Sequence, residues 1–289
     1  MITRQPLTFQ GAEGNALRAD LWDGAGHPVI FLHGGGQTRR AWDKTARQVA
    51  LNGMRAITVD LRGHGESEWV KSGNYTFMDY AGDVAAVVKQ VEAKFHARPS
   101  NVGASLGGLS SLAAELYLGP LLETLVLVDI TPRMNPEGVA KIQGFMGENM
   151  DEGFETLEEA ADAIAAYLPH RKRPSTLDGL RKNLRLGEDG RYRWHWDPEF
   201  VRGERNINLN AAEFMAQLLG DLPKLVIPSL LVRGVQSELV GEEEAREFVD
   251  LAQAASYVDV SGAGHMVAGD RNDVFSAAVL EFLTGRAAA

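Results

Sequence analysis

The residues best suited to chemistry are Gly103-Ala-Ser-Leu-Gly107. A serine on a sharp strand-to-helix turn needs small neighbours on both sides, because the backbone doubles back closely there. Such a turn exposes the hydroxyl and aims backbone N–H groups, with the positive end of the next helix, at a reacting carbonyl. This is nucleophilic attack on an acyl group. With 31 glycines and 12 serines, chance alone yields about 0.14 matches to the pattern, so its context has to carry the reading.

A base, an acid and a pair of oxyanion donors complete the chemistry. His265, in Ser261-Gly-Ala-Gly-His265, follows the last strand-like run on a glycine-rich loop and suits a general base. Glu238 follows a strand and completes the order serine, acid, histidine, so it is favoured as the carboxylate that orients the imidazole. Asp129, also at a strand end, is the alternative acid, with a structural turn or cap as its competing role. Phe31-Leu-His-Gly-Gly-Gly-Gln37 could place Gly35 N–H beside Leu106 N–H as an oxyanion hole. It lacks Gly-Lys-Ser/Thr, and no Gly-x-Gly-x-x-Gly opens a helix, which disfavours nucleotide binding. His33 reads as a brace for that loop rather than a second base. Asp60-Leu-Arg-Gly-His-Gly-Glu-Ser67 reads as a structural turn rather than a metal site on Asp60 and His64, and no metal is expected. The pocket is expected to draw on His33, Gly34, Gly36, Trp42, Phe145, Met146, Trp194 and Met266, with Trp69 and Trp196 as further candidates. For each aromatic, core packing competes with that role.

These residues must be held by strands and helices. Pro28–Leu32, Arg55–Val59, Thr124–Val128 and Leu225–Val232 are short apolar runs suited to buried strands, with Tyr257–Val260 a shorter one. Arg98-Pro-Ser-Asn-Val102 is polar for a central strand, and a short strand starting after Pro99 is expected. Helical spacing recurs in Tyr80, Val84, Val87, Val88 and Val91, in Ala245, Phe248, Val249 and Ala252, and in Val274, Ala278 and Phe282. Strands alternating with helices predict an α/β doubly wound sheet, with an antiparallel hairpin around Leu7–Phe9 and Leu17–Leu21 at its edge. From about Thr131 to Asp221 no strand is evident. Thr156-Leu-Glu-Glu159 has capping-box spacing ahead of Leu157, Ala161, Ile164 and Leu168, so a mostly helical insertion is expected.

The chain has 289 residues, 45% hydrophobic and 24% charged, which suits a globular protein with a sizeable core. A net charge of −10 repels nucleic acid and anionic membranes, so neither is an expected partner. The absence of cysteine excludes disulfides, thiolate metal sites and a cysteine nucleophile. The N-terminus lacks the pattern of a signal peptide and no apolar run approaches membrane-spanning length, so a cytoplasmic location is the expectation.

Taken together, His33-Gly-Gly-Gly36, the Asp60–Ser67 motif, Gly103-Ala-Ser-Leu-Gly-Gly108 and Gly262-Ala-Gly-His265 occur in the order of the α/β-hydrolase superfamily. The chain resembles its capped branch of esterases, lactonases, cofactor-free perhydrolases and carbon–carbon hydrolases. That resemblance implies the α/β-hydrolase fold: a mostly parallel eight-stranded sheet, helices on both faces, and a helical cap after the sixth strand. The core would comprise residues 1–132 and 221–289, and the cap 133–220. The resemblance also implies Ser105 as nucleophile, His265 as base and Gly35 as an oxyanion donor. Most relatives carry Asp where this chain has Glu238, which keeps Asp129 in contention. Serine at 105 argues against epoxide hydrolases and haloalkane dehalogenases of this fold, which use Asp. Ala104 and Met266, where carbon–carbon hydrolases usually carry Asn and Trp, disfavour that activity. The expected function is cofactor-free hydrolysis of a small or medium ester or lactone. The alternatives are a perhydrolase, a carbon–carbon hydrolase, or a receptor that turns its ligand over slowly. His170-Arg-Lys-Arg173 reads as a solvated helix end rather than an anion-recognition site.

Overall fold

The computed structural model describes residues 2–167, 177, 179–265 and 272–285. Met266, Leu168, His170-Arg-Lys-Arg173 and the alanine tail, each singled out in the sequence, lie outside the described residues. Eight strands form one sheet: β1 (Arg4–Gln10), β2 (Ala16–Asp23), β3 (Pro28–Leu32), β4 (Arg55–Val59), β5 (Ser100–Ala104), β6 (Leu125–Val128), β9 (Ser229–Gly234) and β10 (Ala255–Val260). Their order is β1-β2-β4-β3-β5-β6-β9-β10. β1 and β2 pair antiparallel, β2 meets β4 antiparallel, and every later pair is parallel. This is the mostly parallel eight-stranded sheet expected of the α/β-hydrolase fold.

Alternation along each strand feeds two cores. In β3, Ile30 and Leu32 enter one cluster and Val29 and Phe31 the other; β6 divides Leu125 and Leu127 from Val126 and Val128 in the same way. The first cluster takes up α2 (Phe77–Phe95), α3 (Leu106–Leu118) and α8 (Glu242–Leu251) through residues such as Val84, Leu109 and Phe248. The second takes up α1 (Asp43–Leu51) and the last described helix, Asn272–Thr284, through Val49 and Phe275. Both faces of the parallel strands are thereby covered, which is why their runs are almost wholly apolar. β5 is the exception, and most of its polar side-chain atoms find partners, Asn101 Oδ1 having none among the described residues. Ser100 Oγ bonds Thr124 Oγ1 at 2.9 Å and His27 Nε2 at 3.0 Å, while Asn101 Nδ2 donates to Ser111 Oγ at 3.0 Å. The strand begins at Ser100, after Pro99, as expected.

Between β6 and β9 the chain forms α4 (Pro136–Gly147), α5 (Leu157–Tyr167), a hairpin of β7 (Leu184–Leu186) and β8 (Tyr192–Trp194), the short α6 (Glu199–Arg202), and α7 (Ala211–Asp221). The hairpin corrects the strand-free expectation for this segment. Its runs are three residues each, too short to register as period-two patterns, and Gly187-Glu-Asp-Gly190 supplies the turn. The capping box before α5 is only half formed. Thr156 Oγ1 accepts the Glu159 N–H at 3.1 Å, but the Glu159 carboxylate accepts from Glu155 N–H at 2.6 Å rather than reaching back to Thr156. No helix among the described residues is long and apolar enough to cross a membrane.

Candidate active site

Ser105 joins β5 to α3 with φ 45° and ψ −114°, a conformation that L residues rarely adopt. The neighbouring glycines make the turn possible. A Cβ on Gly103 would sit 2.6 Å from Gly107 O, one on Gly107 2.6 Å from Leu32 O, and one on Gly108 2.7 Å from Ile130 Cγ2. Leu106 opens α3, so its N–H has no partner within the helix. On the adjoining loop, Gly34 N–H donates to Gln37 Oε1 at 3.2 Å and Gly36 N–H to His64 Nε2 at 3.2 Å. Among the described residues, neither Gly35 N–H nor Leu106 N–H meets an acceptor.

Two buried imidazoles set this loop. His33 Nδ1–H donates to Gly34 O at 2.8 Å, and its Nε2 accepts from Leu61 N–H at 3.0 Å. His64 Nδ1–H donates to Arg62 O at 2.9 Å while Nε2 accepts from Gly36. His33 therefore braces from behind and, being wholly buried, does not line the cavity, correcting its placement among pocket residues. Asp60 and His64 do not meet as metal ligands: Asp60 accepts from Arg39 and from Glu66 N–H, so the motif is a turn held by buried polar pairs.

Both rings stay neutral, since burial pushes His33 down to about 4 and His64 down to about 3. Burial also lowers His27 and His195. Unfolded imidazoles protonate near 6.5, so below that pH the unfolded chain binds protons that the folded chain refuses. Stability is full above about pH 6.5 and falls as pH drops toward 4, by about 1.4 kcal/mol per pH unit for each refused proton. Urea unfolding at pH 7, 6 and 5 is expected to give steadily lower midpoints. A flat profile would mean that the folded rings already carry the charge.

The carboxylate that meets His265 is Asp129, not the favoured Glu238. Asp129 Oδ2 lies 2.9 Å from His265 Nδ1, and the residue is wholly buried. It follows β6 directly with φ 50°, which turns its side chain across the end of β9. There Oδ1 accepts from Gly234 N–H at 2.8 Å, and Oδ2 accepts from Ser237 Oγ at 2.5 Å. Ser237 is itself pinned, its oxygen accepting Leu239 N–H at 3.0 Å and Val240 N–H at 3.1 Å. Sequence reasoning missed Ser237; its only signal was membership of the loop after β9. The hydroxyl next to Glu238, rather than Glu238, faces the strand ends. Glu238 borders the cavity, as does Tyr167, whose phenol is raised to about 12 by burial first and the nearby Glu238 charge second.

Ser105, His265, Gly35 and Leu106 all border one cavity of about 540 Å³. Gly34, Gly36, Phe145, Met146 and Trp194 reach it as expected, as does Trp196. Trp42 also touches it, although the residue is only 1% exposed and its ring packs between Phe31 and Phe275, 5.5 Å and 5.8 Å away. Trp69 does not line it and instead lies under the Arg185 guanidinium at 4.0 Å.

The sequence profile described as "Alpha/beta hydrolase family" matches residues 29–278. The chain is 32% identical over 266 residues to the esterase Rv0045c of Mycobacterium tuberculosis, covering 90% of this chain and 83% of that protein. It is 28% identical over 255 residues to a 3-hydroxybutyrate-oligomer hydrolase of Cupriavidus necator, covering 84% of this chain and 85% of that one. Among solved structures, E-2-(acetamidomethylene)succinate hydrolase superposes with a TM-score of 0.81 at 21% identity, over 98% of this chain and 100% of its own. At that identity the likeness is one of fold.

Proposed function

We propose that this chain, which belongs to the alpha/beta hydrolase family, is a serine hydrolase of small or medium carboxylic esters or lactones. The observation that carries this reading is the hydrogen bond to buried Asp129 from His265, which borders the same cavity as Ser105 at its strained turn. Asp129 holds the imidazole with its proton on Nδ1, which leaves Nε2 as the base. Nε2 takes the Ser105 proton as Oγ bonds to the ester carbonyl carbon, and the carbonyl oxygen becomes an oxyanion. Gly35 and Leu106 N–H stabilise that charge, each worth about 3–4 kcal/mol in such sites. The imidazolium, stabilised by Asp129, then protonates the leaving alcohol as the carbon–oxygen bond breaks. Water, deprotonated by the same nitrogen, attacks the acyl-enzyme; the Ser105–acyl bond breaks, Oγ takes the proton back, and the acid departs.

In this reading the segment between β6 and β9 acts as a lid that sets substrate choice. It contributes Phe145 and Met146 from α4, Ile164 from α5 and Met215 from α7 to the cavity wall. A mostly apolar cavity of that volume has room for a small or medium ester or lactone. The names of the relatives, an esterase and an oligomeric-ester hydrolase, point the same way. The test is intact mass after exposure to a fluorophosphonate, followed by a panel of esters and lactones. One adduct on the wild type, absent from Ser105→Ala, together with ester turnover, is the expected result. A folded wild type that neither labels nor hydrolyses would overturn the reading in favour of a binding protein.

A further inference from the structure

Three tryptophans border the cavity with indole N–H groups that have no role in the chemistry above: Trp42 and Trp194, whose N–H groups are buried without an acceptor among the described residues, and Trp196 beside Gly36. Trp196 is only 3% exposed, yet it borders the cavity, and its Nε1 lies 3.7 Å from where a Cβ on Gly36 would stand. Among the described residues this N–H has no acceptor. The backbone around it is tied to the loop behind the oxyanion donors. His64 and Trp196 pair as an antiparallel bridge, Gly65 N–H donates to His195 O at 2.7 Å, and Asp197 N–H donates to Gly63 O at 2.7 Å. The Phe200 ring meets the indole edge-on, with centroids 6.0 Å apart. The indole is therefore held rigidly beside Gly36 by contacts independent of any ligand.

The surrounding wall is rich in donors. Asn183 O accepts His195 N–H at 2.8 Å, and Lys182 O lies 3.4 Å from Thr38 Oγ1, so both residues sit on the same side as Trp196. Both residues and Arg40 border the cavity. The cations already face carboxylates, Lys182 Nζ at 3.5 Å from Asp43 and Arg40 Nη1 at 2.9 Å from Asp20. With those pairings, and with Glu238 also on the wall, the donors stand in a lining with little net positive charge. A neutral oxygen fits it better than a second carboxylate would.

Resting on the serine-hydrolase reading, we infer that Trp196 is a specificity-determining donor, selecting esters that carry a second, neutral oxygen acceptor close to the scissile carbonyl. The class comprises ether, hydroxy, keto and oligoester substrates. An all-carbon chain in the same place would leave the indole N–H buried without a partner.

Two isosteric pairs test this: p-nitrophenyl 3-methoxypropanoate against the pentanoate, and 2-methoxyethyl butanoate against butyl butanoate. In at least one pair the wild type is expected to favour the oxygen-bearing ester in kcat/KM, and Trp196→Phe should shrink that ratio about 3- to 10-fold. A second readout does not depend on turnover. Ser105 is labelled with a fluorophosphonate bearing either a 2-methoxyethyl or a butyl arm, and the indole ¹H–¹⁵N resonances are compared. The resonance missing from Trp196→Phe should move downfield with the ether arm only. Labelling and hydrolysis with no ether preference in either pair and no such shift would overturn the inference and leave the serine hydrolase standing. Absence of both labelling and hydrolysis would remove the reading on which it rests.

Discussion

Replacing Ser105 by alanine is expected to lower kcat on the order of 10⁶-fold for any ester the wild type hydrolyses, with the fold retained. Oγ is the only protein group in the proposed reaction that forms a bond to substrate carbon, and the oxyanion donors alone leave a small residue of catalysis. Activity within tenfold of wild type would show that another residue attacks the carbonyl. The same position carries a stability signature. Alanine must still adopt φ 45°, which costs an L residue about 1–2 kcal/mol, whereas glycine adopts it freely. Ser105→Gly should thus be inactive yet more stable than Ser105→Ala by about 1 kcal/mol in urea unfolding. Equal stabilities would mean that the turn is relaxed rather than strained.

The second large effect separates the two candidate acids. Asp129→Asn is expected to lower kcat about 10⁴-fold, because a neutral amide neither stabilises the imidazolium nor holds the productive tautomer. Glu238→Gln should cost less than tenfold, since no hydrogen bond links that side chain to the imidazole among the described residues. Measuring kcat for both variants on one ester decides the matter. The reverse order would return the role to Glu238. Burial sharpens the contrast: Asp129 is wholly enclosed, with Gly234 N–H, Ser237 Oγ and His265 Nδ1 on its two oxygens, so its charge acts through little intervening water.

Much of this protein is determined by local sequence. The apolar runs of β3, β4 and β6 bury both faces of a strand whatever lies beyond them, so they were legible as strands of a parallel sheet. Gly103, Gly107 and Gly108 flank a serine because any side chain at those points would collide with backbone or Ile130, and that requirement shows in the residue types alone. The expectation that His33 braces its loop was local only in part, for the ring donates to Gly34 next to it but accepts from Leu61, just past the end of neighbouring β4.

Tertiary structure decided the rest. Chain order favoured Glu238, but the imidazole's partner depends on which carboxylate the strand ends bring across the sheet. β6 and β9 are neighbours, so Asp129 turns toward Gly234 and Ser237, a contact spanning more than 100 residues. The β7–β8 hairpin has too few residues per strand to declare itself, and forms because Leu184 and Trp194 bury against the larger cluster. Trp196 read as either core or pocket wall, and it is both. Its ring packs against Phe200, while the residue borders the cavity beside Gly36, its backbone paired with His64 on the core. Residue types and short spacing determine which chemistry is available. Which side chains meet, and so which carboxylate and which donor serve the cavity, depends on strand adjacency and packing that no short stretch of sequence contains.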